Sequence, residues 1–180
     1  EDHQITLALF KPDFKAAAYI RNRINQRFGK DVANAVSESV INVTVPPFYK
    51  NKKARFIRLV RSLYIASSAS LEEQRINNLV EELRDSTDKA KAQIALEAIG
   101  KPTIDKLLPL LESEDVNTKF AAGTNLIAIG DDRALKMMRD FAQNPDSVHR
   151  MQAIINVGEF ASKNNTVALM NRLVNDENFD

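Results

Sequence analysis

The stretch LLPLLESEDVNTKFAAGTNLIAIGDDRALKMM (residues 107–138) decides the fold. It reads as a leucine-rich helix, an acidic turn, an alanine-rich helix and a glycine stop. Two other stretches line up with it: LVEELRDSTDKAKAQIALEAIGKPTIDKL (79–107) and MRDFAQNPDSVHRMQAIINVGEF (138–160). The pairs Ile99-Gly100, Ile129-Gly130 and Val157-Gly158 recur 30 and 28 residues apart. That period marks an internal repeat of helix pairs. Glycine closes each second helix, and Pro102 suits the first turn of the next. Small residues such as Ala95, Ala121 and Ala122 let neighbouring helices approach closely. One pair cannot bury its own apolar face, so the pairs are expected to stack as an α-solenoid.

Upstream the texture changes. QITLALF (4–10) reads as a strand bounded by Pro12, and SVINVTVP (39–46) as a second. Pro12 fits a first helical turn, and Asp13 suits the positive end of the helix dipole. Phe14, Ala17, Ile20, Ile24 and Phe28 make one apolar helix face, closed by Gly29. NKKARFIRLVRSL (51–63) is a second helix with Ala54, Ile57, Val60 and Leu63 as its core stripe. YIAS (64–67) suits a third, short strand, and SSAS (67–70) a linker or N-cap. The expected fold class is therefore a small α+β N-terminal domain, 1–67, followed by an all-α solenoid, 68–180. The latter holds about three repeats of paired antiparallel helices, truncated at the C-terminus.

The chain has 180 residues, 44% hydrophobic and 27% charged, enough to bury a core in one or two soluble domains. It has no cysteine, so disulfides, thiolate metal sites and a cysteine nucleophile are excluded. No apolar run reaches the length of a membrane span. The chain opens on Glu1-Asp2-His3 and closes on LVNDENFD, which reads as a repeat cut short. An excised piece of a longer protein is expected, with any targeting segment outside it. The net charge of +1 hides a split. Residues 1–67 carry 12 Lys/Arg against 5 Asp/Glu, and residues 68–180 carry 13 against 19.

Chemistry-bearing motifs are scarce. There is no Walker loop, G-x-G-x-x-G, G-x-S-x-G or H-E-x-x-H. His3 and His149 are the only histidines and have no acidic cluster at ligand spacing. No catalytic residue, metal or cofactor is expected. Lys52, Arg55, Arg58 and Arg61 march along one helix face at spacing three. They suit a solvated surface or an anionic partner such as peptidoglycan, lipid headgroups, nucleic acid or the chain's own acidic half. Nucleic acid is disfavoured, because Tyr49 and Tyr64 flank the charges without interleaving and the acidic half would repel phosphates. Glu72-Glu73, Glu81-Glu82, Glu112, Glu114-Asp115 and Asp131-Asp132 suit helix starts and turns. Lys119, Asn125, Arg150 and Asn156 fall on second helices of repeats, where they would line a concave partner-binding groove.

The repeats resemble short HEAT repeats over residues 72–180. AAGTNLIAIGDDRALKMM follows that family's run of Ala-Ala, Leu, Ile-Gly, acidic turn and Arg-Ala-Leu, and ALEAIGKPTIDKLLPLL matches a Gly-x-Pro variant. The resemblance implies a protein-binding scaffold. Some HEAT-like proteins are DNA glycosylases or pigment lyases, but the basic, aromatic-lined groove or chromophore pocket they need has no signal here.

The first part resembles the flagellar P-ring protein family. The matching positions are Leu7 and Leu9, Asp13-Phe14, Ala17, Ile24-Asn25, Phe28-Gly29, Ala33 and Ala35, Val43-Thr44-Val45-Pro46, and Phe56-Ile57. The resemblance implies one internal segment of a subunit that builds the periplasmic ring around the flagellar rod. It implies a non-enzymatic structural protein of the bacterial cell envelope, periplasmic, with self-association or peptidoglycan contact. For Asp13-Phe14 it adds a subunit contact to the simpler reading as helix-terminal anion and core aromatic. The alternative is a monomeric HEAT-repeat binding module with the small domain as its cap.

Overall fold

The computed structural model describes residues 3–64 and 68–174. Its contacts divide the chain into two compact units, Glu1–Gln74 and Arg75–Asp180.

In the first unit, β1 (Gln4–Ala8) leads to α1 (Phe14–Phe28), then β2 (Ala33–Ala35) and β3 (Val40–Thr44). The strands form one antiparallel sheet in the order β1-β3-β2. Ile5 pairs with Val43 and Leu7 with Ile41. The period-2 alternation of β3 turns Ile41 and Val43 fully inward. The short β2 has no alternating signature, so the sequence alone does not reveal it. It is held from α1, because the Asn25 amide bridges both backbone groups of Ala33: its Oδ1 accepts from the N–H at 2.7 Å and its Nδ2 donates to the carbonyl at 3.0 Å.

The start of α1 differs from the expectation. Pro12 lies before the cap, and Asp13 is the cap itself, accepting from Lys15 N at 2.8 Å and Ala16 N at 3.1 Å. Phe14 stands at the first helical position and is 73% exposed, so it is not a core aromatic. The buried face of α1 is Ala17 and Ile24. Gly29 ends the helix at φ +123°, a backbone angle that side-chain-bearing residues rarely adopt.

Helix α2 (Lys53–Ser62) is rotated relative to its expected stripe. Phe56 and Leu59 are buried, whereas Ala54 and Ile57 are exposed. The reason is aromatic: Phe56 packs edge-on against Phe28 at 5.0 Å and lies 5.3 Å from Tyr49. The suggested strand at 64–67 falls mostly outside the described residues.

Helix α3 (Ala69–Asp85) follows, with Ser68 Oγ accepting from Leu71 N at 3.3 Å as an N-cap. From there the described chain is helical, consistent with HEAT-like repeats. Helix α4 (Ala90–Ile99) ends at Gly100, φ +84°. The leucine-rich helix of the middle repeat is irregular: a 3₁₀ turn at Lys101–Thr103, a short α5 (Ile104–Leu107), then 3₁₀ at Leu108–Glu112. Pro102 and Pro109 lack the N–H that a continuous α-helix needs. Helix α6 (Val116–Ile129) starts on Asp115, which caps Asn117 N and Thr118 N. It ends on left-handed Gly130, where Asp131 N donates to Leu126 O at 2.9 Å.

Helices α7 (Leu135–Gln143), α8 (Arg150–Phe160) and α9 (Lys163–Leu173) complete the order. Here the expected glycine stop fails. Gly158 lies inside α8, which runs on to Phe160 and ends on Ala161. The core of this unit gathers Leu79, Leu83, Leu96, Leu126, Met138, Val157 and Leu169 around α6.

Candidate functional site

The four basic residues near α2 do not act alike. Lys52 Nζ sits 4.5 Å over the Phe48 ring, a cation–π contact. Arg58 and Arg61 are exposed, and Arg55 is half-buried. Arg61 also lines an open groove of about 240 Å³ with Leu7, Ile20, Arg23, Val60 and Leu63. Arg23 donates to Glu72 across that unit and, through Nη1, to Gln26 at 2.9 Å. The groove is mainly apolar, and the described residues that line it include no carboxylate or histidine.

The expected solenoid set also divides. Lys119 and Arg150 are half-buried. Asn125 is 1% exposed and Asn156 4%, so neither amide reaches solvent. Asn156 is used in packing: its Nδ2 donates to Thr124 Oγ1 at 3.0 Å and its Oδ1 accepts from Gln152 Nε2 at 3.0 Å. Asn125 Nδ2 is buried without a hydrogen-bond partner. Helix order alone placed them on the right helices but could not say which way they face.

The joints between helix pairs are polar, and pattern reading missed them. Lys89 Nζ donates to the carbonyls of Leu83, Arg84 and Ser86 at 2.7, 3.0 and 3.1 Å, closing the end of α3. Thr118 Oγ1 lies 3.2 Å from the same Arg84 carbonyl and 2.5 Å from Asp115 Oδ2. The Thr118 hydroxyl and the backbone N–H groups of α6 hold the Asp115 carboxyl below its ordinary range. Lysine after an acidic turn is the signal that could have found this joint.

His149 has a defined setting. Its ring stacks on Phe120 at 4.2 Å and 4° and meets Phe141 edge-on at 5.8 Å, with Nε2 buried and unpartnered. Burial pushes its pKa down, against the opposing pull of Asp115. It serves as an aromatic packing element between Phe120 and Phe141. Among the described residues, no group of three or more His, Cys, Asp or Glu is placed to hold a metal ion, and no helix is long and apolar enough to cross a membrane.

Comparison with known proteins finds two families along the chain. The family model described as flagellar P-ring protein matches residues 1–82. The model described as HEAT repeats matches 76–158 and 104–180. Among curated relatives, the flagellar P-ring protein of Thermotoga maritima is 33% identical over 61 residues, covering 34% of this chain and 18% of that protein. Those of Pseudothermotoga lettingae and Aquifex aeolicus are 30% and 32% identical over 66 residues, covering 37% of this chain and 20% and 18% of theirs. The chain thus spans about a fifth of the length of the curated relatives it matches. No solved structure matches it. Both matched families are of structural or scaffold type. Residues 1–82 carry the P-ring pattern, and through residues 76–180 the chain belongs to the HEAT-repeat family.

Proposed function

We propose that this is a non-enzymatic assembly protein of the bacterial cell envelope, acting in the periplasm. Its P-ring-like unit self-associates or grips an envelope component such as peptidoglycan, and its HEAT repeats dock a protein partner. The observation that carries this reading is the joining of the two family matches in one chain. Charge supports it. Residues 1–74 hold 12 Lys/Arg against 7 Asp/Glu, and residues 75–180 hold 13 against 17. Opposite signs favour head-to-tail contact between copies, and such contacts generate rings or filaments. Arg58 and Arg61 offer exposed cations in the first unit, and Lys119 and Arg150 belong to the surface of the repeats that docks a protein partner.

The test is sedimentation velocity of the full chain at about 50 mM and about 500 mM salt, across which the Debye length shortens several-fold. Larger species at low salt that dissociate at high salt are the expected result. Arg58→Glu with Arg61→Glu should shift the low-salt distribution toward the monomer. A single unchanged species throughout refutes charge-driven assembly and leaves the monomeric HEAT-repeat module.

A further inference from the structure

The turn between β1 and α1 reads Phe10-Lys11-Pro12-Asp13-Phe14-Lys15, and every one of these side chains is exposed. Phe10 is 106% exposed and Phe14 73%, so neither packs on the protein to any useful extent. Two phenylalanines held in water carry an uncompensated hydrophobic cost. The turn is also firmly built. Leu9 N donates to Ser39 O at 2.8 Å, Asp13 N donates to Glu38 O at 2.9 Å, and Asp13 caps α1. These bonds fasten the turn to the β2–β3 hairpin, whose Val36 is a third exposed apolar side chain. Tyr19 follows Lys15 one turn along α1 and is exposed too.

We propose that this tip docks on an anionic lipid bilayer. Phe10 and Phe14 enter the acyl boundary, Lys11 and Lys15 meet the headgroup phosphates, and Tyr19 lies at headgroup level. Aromatic side chains flanked by lysines suit the layer where hydrocarbon gives way to charged headgroups. A protein partner would satisfy the phenylalanines equally well. Charge complementarity and the aromatic–lysine pattern fit an anionic bilayer. The tip belongs to a unit with 12 Lys/Arg against 7 Asp/Glu, which an anionic surface attracts as a whole. Asp13, whose carboxylate is turned to the first backbone N–H groups of α1, and half-buried Glu38 offset the two tip lysines, so the attraction is that of the unit as a whole. The apolar anchor is small, so binding is expected to be reversible and to need both components. This inference goes beyond the assembly reading and does not depend on it.

The experiment is co-sedimentation of the full chain with phosphatidylglycerol/phosphatidylcholine vesicles and with phosphatidylcholine vesicles alone. The chain should pellet with the anionic vesicles and stay in solution with the neutral ones. Phe10→Ser with Phe14→Ser should lower the vesicle partition coefficient about tenfold or more. Both positions are outside the core, so the variant should keep the circular dichroism and urea midpoint of the parent. Lys11→Gln with Lys15→Gln should weaken binding to anionic vesicles only, and Val148→Ser, an exposed apolar residue of the other unit, should change nothing. Failure of the parent to pellet, or pelleting of the double serine variant at the parental level, overturns the proposal. So would loss of self-association, rather than of vesicle binding, in the serine variant, because the tip would then be a protein contact.

Discussion

The two buried asparagines lend themselves to one substitution with unequal outcomes. Asn125 and Asn156 lie 31 residues apart, on α6 and α8, and both are nearly sealed from solvent. Leucine shares asparagine's branching at Cγ but is larger, so the volume cost of Asn→Leu falls on both variants and their difference reports polarity. At Asn125 it removes a buried amide nitrogen that has no partner. An unpaired buried polar group costs about 1–3 kcal/mol, so its removal favours Asn125→Leu by an amount in that range before the cost of the larger side chain. At Asn156 the same change deletes the bonds to Thr124 and Gln152 and leaves the half-buried Thr124 hydroxyl without that donor. Gln152 is exposed and can turn to water, so the loss is mainly one hydrogen bond, about 1 kcal/mol. The two variants should therefore differ by roughly 2–4 kcal/mol, with Asn125→Leu the more stable. Urea denaturation followed by far-UV circular dichroism measures this as a higher midpoint for Asn125→Leu than for Asn156→Leu, at constant m. Equal destabilisation by both would refute the reasoning, since it would mean that Asn125 also holds a bond.

Two further outcomes follow from the same unit. Because burial lowers the pKa of His149 below its ordinary value near 6.5, the unfolded chain binds this proton more readily than the folded one. The stability tied to neutral His149 is fully present above pH 6.5 and is lost as pH falls from there through the folded pKa. A His149→Phe variant, which can still stack on Phe120, should show a shallower decline of the urea midpoint between about pH 7.5 and 5; an unchanged slope would contradict this. A side chain at Gly123 points into α7: an added Cβ would lie 2.3 Å from Met137 Cε and 3.0 Å from Met138 Sδ. Gly123→Ala should cost about 1 kcal/mol or less, since the Met137 tip can swing away and alanine favours the helix by about 1 kcal/mol, while the buried Met138 sulfur must also give. Gly123→Val should cost about 1–3 kcal/mol by overpacking, read from the same denaturation curves.

Local pattern alone was enough for much of this protein. The near-30-residue period with Ile99-Gly100 and Ile129-Gly130 marks helix pairs, because only glycine closes a helix cheaply in the conformations seen at φ +84° and +91°. The alternation in β3 marks a strand because its two faces differ in polarity. Charge asymmetry and the missing cysteines are composition, legible without any fold. Tertiary structure decided what depends on neighbours distant in sequence. Val157-Gly158 imitates a helix stop, yet α8 continues to Phe160, and glycine is tolerated within a helix that packing supports. The core face of α2 was set by Phe56 finding Phe28 and Tyr49, not by its own periodicity. Asn125 and Asn156 look like surface residues until a second helix covers them, and Phe14 looks like core until nothing does. A sequence states the polarity and conformational preference of each residue; whether a side chain meets water or another helix depends on partners that the chain brings together only when folded.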